Sequence, residues 1–122
     1  MRGVLLGLCL SIIPTVAPAW LAENGLIVRQ KGSGFEVPYR GLTGARDFWC
    51  AAGDYVIREL EMPPDTRIYR TSKPPRRAGQ GVRFSLRAEG ATRTGLLVWS
   101  EGRGLTASFA REFCQTQRIE SQ

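Results

Sequence analysis

The chain has 122 residues, with 17 Lys or Arg against 11 Asp or Glu, three cysteines and no histidine. That length suits one domain, and the formal charge of +6 favours anionic partners. Without histidine the chain supplies no Ser-His or Cys-His triad and no His-ligated metal centre.

The N-terminus reads MRGVLLGLCLSIIPTVAPAW. Arg2 gives a positive start, residues 4–13 form an uncharged apolar run, and Ala17-Pro18-Ala19 places small residues where a signal peptidase reads them. This is the layout of a secretory signal peptide over residues 1–19, cleaved after Ala19. The apolar run is shorter than the roughly 18 residues a membrane-spanning helix needs. No transmembrane span is expected once it is removed. Leu8 before Cys9 argues against a lipoprotein signal. The mature domain is expected to be residues 20–122, or 122 − 19 = 103 residues, located in the periplasm or secreted. Trp20 would be its first residue and is expected to be mobile.

Cleavage removes Cys9 and leaves Cys50 and Cys114, which in an oxidising compartment are expected to form one disulfide. Their separation is 114 − 50 = 64 residues, a loop whose closure is worth about 4 kcal/mol on a chain-entropy model. The alternatives are a reactive thiol or half of a metal site. The spacing is not Cys-x-x-Cys, and no histidine completes such a site.

Residues 25–30, GLIVRQ, read as a strand, KGSG as a turn and FEVPY as a second strand, giving a hairpin. Pro38 cannot donate to a ladder, so the second strand is expected at a sheet edge. A helix follows over residues 44–60. Thr43 is the expected N-cap, Asp47 complements the first turn, and Phe48, Ala52, Tyr55, Val56 and Leu60 recur at helical spacing. Cys50 lies slightly off that stripe, Gly53 is an internal weak point, and Pro63-Pro64 ends the helix. TRIYR, VRFSLRA and GLLVWS read as three further strands, with Val82, Phe84 and Leu86 inward in the second. From residue 106 or 108 a short helix carries Cys114. The order β-β-α-β-β-β-α implies an α+β fold: a small antiparallel sheet of about five strands with two helices on one face. ARDFWC and AREFC present a similar frame, so two helices side by side would bring Cys50 and Cys114 together.

The run ARDFWCAAGDYV, followed by RIYRTSKPPR and VRFSL, resembles a group of uncharacterised small exported alphaproteobacterial proteins with paired cysteines. The resemblance covers residues 41–86 and, more loosely, FAREFC. It implies export and the cysteine pair, and it transfers no catalytic residue, because no activity is assigned to that group.

The most distinctive polar feature is basic. Residues 67–87 hold Arg67, Arg70, Lys73, Arg76, Arg77, Arg83 and Arg87 with no acid among them. If the flanking strands pair, their outward faces and the intervening loop form one positive surface. Arginine forks suit phosphates and carboxylates. The same residues would also serve simply to solubilise a small domain and protect a sheet edge. Trp49 and Trp99 are aromatic contact candidates, although such side chains are commonly packing residues; Tyr39 and Tyr69 could add stacking. Asp47 and Asp54, two helical turns apart, are the best pair for carboxylate chemistry, with Glu59 and Glu61 as further candidates. Arg46 and Arg58 nearby make solvated helix charges the plain alternative. No metal site and no cofactor are expected.

The functional expectation is a non-enzymatic binding or accessory module of the cell envelope. Its partner would be an anionic lipid, lipopolysaccharide, wall polymer or acidic protein, and not nucleic acid. The alternatives are a carboxylate-dependent hydrolase and a protein inhibitor or chaperone-like partner.

Overall fold

In the computed structural model, residues 3, 7–12, 18–41, 44–96 and 104–120 are described, with side chains of the last helix described to residue 115. The strands are β1 (Trp20–Leu21), β2 (Ile27–Lys31), β3 (Gly34–Val37), β4 (Arg67–Arg70), β5 (Val82–Ser85) and β6 (Leu105–Thr106). The helices are α1 (Ala45–Asp54), continued by a π-helical stretch Tyr55–Glu59, and α2 (Ala107–Glu120). The strands form one six-stranded antiparallel sheet in the order β1-β2-β3-β5-β4-β6. The fold is therefore α+β, with one more strand than the sequence suggests.

Trp20, expected to be mobile, is placed in a strand. It begins β1, pairs with Val28, and sets its ring edge-on to Tyr55 with centroids 5.7 Å apart. The chain then turns through Ala22–Leu26, where the Leu26 carbonyl accepts from Ala22 N at 2.8 Å and Asn24 Nδ2 donates to the Asp47 carbonyl at 2.9 Å. The Asn24 side chain thus ties this turn to α1. β2 and β3 are joined by the two-residue loop Gly32-Ser33, with Gly32 at φ +60. That is where a tight hairpin of the II′ kind needs glycine.

β3 is an interior strand, paired with β2 and β5. Pro38 is accommodated because the ladder ends one residue earlier, at Val37, so no donor is lost. The β4–β5 pairing across the loop is as expected, with Tyr69 opposite Ser85 and Arg70 opposite Phe84. Val82 and Phe84 are buried, but β5 stops at Ser85 and Leu86 is only partly buried. Of the strand expected over residues 95–100, Gly95 and Leu96 are irregular and residues 97–100, with Trp99, lie outside the described residues.

One face of the sheet presents Val28, Phe35, Val37, Ile68, Val82, Phe84 and Leu105 to the core. Trp49 meets Phe84 edge-on at 4.9 Å, and Tyr55 lies 4.8 Å from Phe35, so α1 rests on that face. α2 covers the other flank of α1, with Ala107 and Ala110 buried. Every residue from Phe48 to Val56 is buried. This arc is wider than the single apolar stripe in the sequence. The second contact, with α2, is made at Cys50 and Gly53, and the lack of a side chain on Gly53 lets α2 approach. Gly53 is thus the crossing point rather than a weak point: a Cβ there would lie 2.7 Å from both the Ala107 carbonyl and Arg111 N. Cys50 and Cys114 form a disulfide across this crossing, with Cα atoms 5.0 Å apart.

The expected cap Thr43 lies outside the described residues. Gly44 occupies the N-cap position, and its N–H donates to Asp47 Oδ2 at 2.7 Å. The helical run ends in i→i+5 geometry, with Leu60 N donating to the Tyr55 carbonyl at 3.0 Å. Leu60, expected to be buried, is exposed at the close of this wider turn.

Candidate anion-binding surface

Among the described residues no helix covers the outer face of the sheet. The β-ladder fixes what stands there, because side chains alternate between faces. Arg29, Glu36 and Arg83 form one row across β2, β3 and β5. Arg67, Tyr69 and Ser85 continue the face, and Arg67 and Arg83 are exposed. Lys73 and Arg77 are exposed in the loop between β4 and β5, and Arg87 is exposed just after β5. Five of the seven cations singled out by sequence are therefore exposed: Arg67 and Arg83 on the outer sheet face, Lys73 and Arg77 in the loop, and Arg87 just after β5.

The other two have different roles. Arg70 points to the core face beside Phe84 and is only 4% exposed. Its Nε donates to the Ser72 carbonyl at 2.8 Å and its Nη1 to the Thr94 carbonyl at 3.3 Å. Burial, with the charge of Arg76 adding to it, pushes the Arg70 pKa down. Arg70 is therefore removed from any contact surface: in the four-residue strand RIYR its position matches inward Ile68. Arg76 is half-buried. Its guanidinium lies over the Tyr39 ring at 4.9 Å and over the Phe48 ring at 5.2 Å, and Nη1 donates to the Gln80 carbonyl at 2.8 Å. This cation–π stack holds the loop against the N-terminal end of α1. Tyr39 is thus engaged by the protein's own arginine.

Trp49 is 1% exposed, and its indole N–H donates to the Thr94 carbonyl at 2.9 Å. It is a core residue and not an aromatic contact, because the sheet and the segment at Thr94–Leu96 enclose it.

No protein-family model, curated protein or solved structure matches this chain.

The carboxylates of α1 have structural tasks. Asp54 is 0% exposed and accepts from Glu23 N at 2.9 Å, from Arg58 Nε at 2.6 Å and from Arg58 Nη2; Arg111 Nε stands 3.4 Å away. The hydrogen bond to Asp54 raises the Arg58 pKa further. This cluster joins the β1–β2 turn, α1 and α2. Arg58 also lies 4.9 Å over the Trp20 ring, extending the tie to β1. Asp47 Oδ2 closes the N-terminus of α1, while its Oδ1 is buried with no hydrogen-bond partner among the described residues. Glu59 and Glu61 are exposed beyond it. Among the described residues no cluster of three or more Cys, Asp or Glu side chains is arranged to hold a metal ion, and no helix is long and apolar enough to cross a membrane.

Two concavities flank these features. A groove of about 440 Å³ lies by α2, lined by Glu23, Ile57, Pro64, Ser108, Arg111 and Gln115 among others. Its Arg111 stands 3.7 Å from Glu23 and is shared with Asp54. A smaller pocket of about 180 Å³ opens on the outer sheet face beside the Gly32-Ser33 turn. Lys31, Ser33, Thr71, Arg83, Ser85 and Glu89 contribute to it. Sequence reasoning singled out Arg83 alone of these, because the hydroxyls come from three segments that only the folded sheet brings together.

Proposed function

We propose that this protein is an exported, disulfide-held binding module of the cell envelope, and that it contacts anionic partners through the outer face of β4, β5 and their connecting loop. The observation that carries this reading is the exposure of Arg67, Lys73, Arg77, Arg83 and Arg87 on one strand-loop-strand unit, with the loop held in place by Arg76. A surface of this kind attracts anions over distances set by ionic strength and loses affinity as salt rises.

Export is supported by two features. Leu8, Leu10 and Ile12 are highly exposed and contribute nothing to the core, whereas the sheet begins at Trp20, directly after the expected cleavage position. The disulfide suits an oxidising compartment. No catalytic role is assigned to Asp54, whose oxygens are committed to the Arg58–Arg111 cluster, or to Asp47, whose Oδ2 accepts from Gly44 N at the start of α1.

The test is binding of the protein, lacking residues 1–19, to vesicles with and without phosphatidylglycerol and to lipopolysaccharide. Expected is binding at low salt that weakens steeply as salt is added and is lost in Lys73→Glu/Arg77→Glu. Undetectable binding at low salt, or binding indifferent to those charge reversals, would overturn the proposal.

A further inference from the structure

We infer that the pocket beside the Gly32-Ser33 turn is a phosphodiester site, with Arg83 as its charged anchor. The inference rests on the anion-binding reading above and assigns to it a position and a ligand class.

Charge balance selects the ligand. Lys31 Nζ pairs with Glu36 at 3.1 Å, and Arg87 Nε stands 3.5 Å from Glu89, so these four charges largely cancel locally. Among the described residues the Arg83 guanidinium has no ion-pair or hydrogen-bond partner, although the ladder places it opposite Glu36. One positive charge is left for a ligand, and a single negative charge neutralises it. A monoanion fits this field better than a dianion.

Hydroxyl placement selects an oxyanion. Ser33 on the hairpin turn, Thr71 after β4 and Ser85 on β5 line the same pocket as Arg83. Ser85 Oγ accepts from Arg87 N at 3.0 Å, which leaves its O–H free to donate inward. The Thr71 main chain is fixed by its own N–H, which donates to the Arg83 carbonyl at 2.9 Å. The Arg83 main chain is fixed in turn by Ser72, whose Oγ accepts from Arg83 N at 3.0 Å. One bond from Thr71 and one to Ser72 thus hold Arg83 against the segment after β4, and Thr71 and Arg83 line the same pocket. A guanidinium fork with several hydroxyl donors on a rigid ladder is a site for the two unesterified oxygens of a phosphodiester. The pocket is open to solvent on the sheet face, so the two ester substituents can leave along it. Such a group occurs both in soluble glycerophosphodiesters and in phospholipid headgroups.

The experiment is a titration of isotope-labelled protein, lacking residues 1–19, with glycerophosphoglycerol, followed by amide chemical shifts at low salt. Inorganic phosphate at pH 8 and phosphatidylglycerol vesicles are parallel arms. Shifts should concentrate at Ser33, Gly34, Thr71, Arg83 and Ser85. Arg83→Gln should weaken binding by about tenfold or more, as loss of a charge-assisted bond does. Thr71→Val, which keeps the shape and the main-chain bonds, should weaken it several-fold. Inorganic phosphate, a dianion at that pH, should bind more weakly than the diester. Scattered or absent shifts, affinity unchanged in Arg83→Gln, or tighter binding of inorganic phosphate would each overturn the inference. Vesicle binding that persists in Arg83→Gln without pocket shifts would overturn this site and leave the broader surface reading intact. Pocket shifts with the soluble diester, but no vesicle or lipopolysaccharide binding, would do the reverse.

Discussion

The Trp49 indole and the Arg70 guanidinium donate to the same acceptor, the main-chain oxygen of Thr94, at 2.9 and 3.3 Å. This pins the irregular segment after Thr92 under the end of β4. The Ser72 carbonyl that receives Arg70 Nε is shared too, with Thr92 Oγ1 at 3.3 Å. Each acceptor therefore retains a second donor if Arg70 is replaced. Arg70→Met, which fills the same space without a buried charge, is expected to stay within about 1 kcal/mol of the parent. Arg70→Ala, which opens a cavity, is expected to lose about 2 kcal/mol or more. Urea unfolding of both variants separates packing from charge at this site; equal losses would mean that the charge itself is required.

Gly53→Ala reverses the usual sign. In a free helix this change is stabilising by about 1 kcal/mol. Here the added Cβ would meet the Ala107 carbonyl and Arg111 N at 2.7 Å and Ala110 Cβ at 3.0 Å, all on the facing helix. The helices must part, at an expected cost of about 1–3 kcal/mol. A thermal midpoint at or above that of the parent would show that α2 gives way freely.

Reduction of Cys50–Cys114, or the double change to Ala, is expected to remove about 4 kcal/mol through the 64-residue separation it closes. The bond is buried, so reductant should act slowly on the native protein and quickly in denaturant. Denaturation curves with and without reductant read both effects.

Asp54→Asn should cost about 2 kcal/mol, because it removes the charge that Arg58 and Arg111 share and weakens the bond from Glu23 N. The loss should extend to β1, since Arg58 also covers Trp20. Tryptophan emission and amide exchange at Leu21 and Ala22 would report loosening there before global unfolding.

Alkaline pH should weaken the fold through Tyr55. Burial raises its pKa above 10.0, and the Glu59 charge adds to the shift. The sign follows from proton uptake: above about pH 10 the unfolded chain releases this proton while the folded chain keeps it, so stability falls as pH rises toward the folded value. Below pH 10 the contribution is constant. Thermal midpoints of the parent and Tyr55→Phe between pH 9 and 11 should show a smaller alkaline loss in the variant.

Much of the fold was readable from local chemistry. Turn residues at KGSG, alternation in VRFS, helical spacing from Phe48 to Val56 and the rhyme of ARDFWC with AREFC depend on neighbours within a few residues. They gave the hairpin, β5, α1 and the cysteine pairing. β1 was missed because two residues make no pattern; Trp20 is ordered by Val28, Tyr55 and Arg58, all distant in sequence.

The sequence by itself determined the α+β class, the helix that carries Cys50, and a basic segment with no acid between residues 67 and 87. Only the tertiary structure decided which of those cations face solvent. Arg70 turns inward because the β4–β5 register sets it beside Phe84, and Arg76 is captured because the loop folds back on Tyr39 and Phe48. Strand alternation has a local period but no local sign: which face is buried depends on where the helices lie, and that is settled by contacts between residues far apart in the chain.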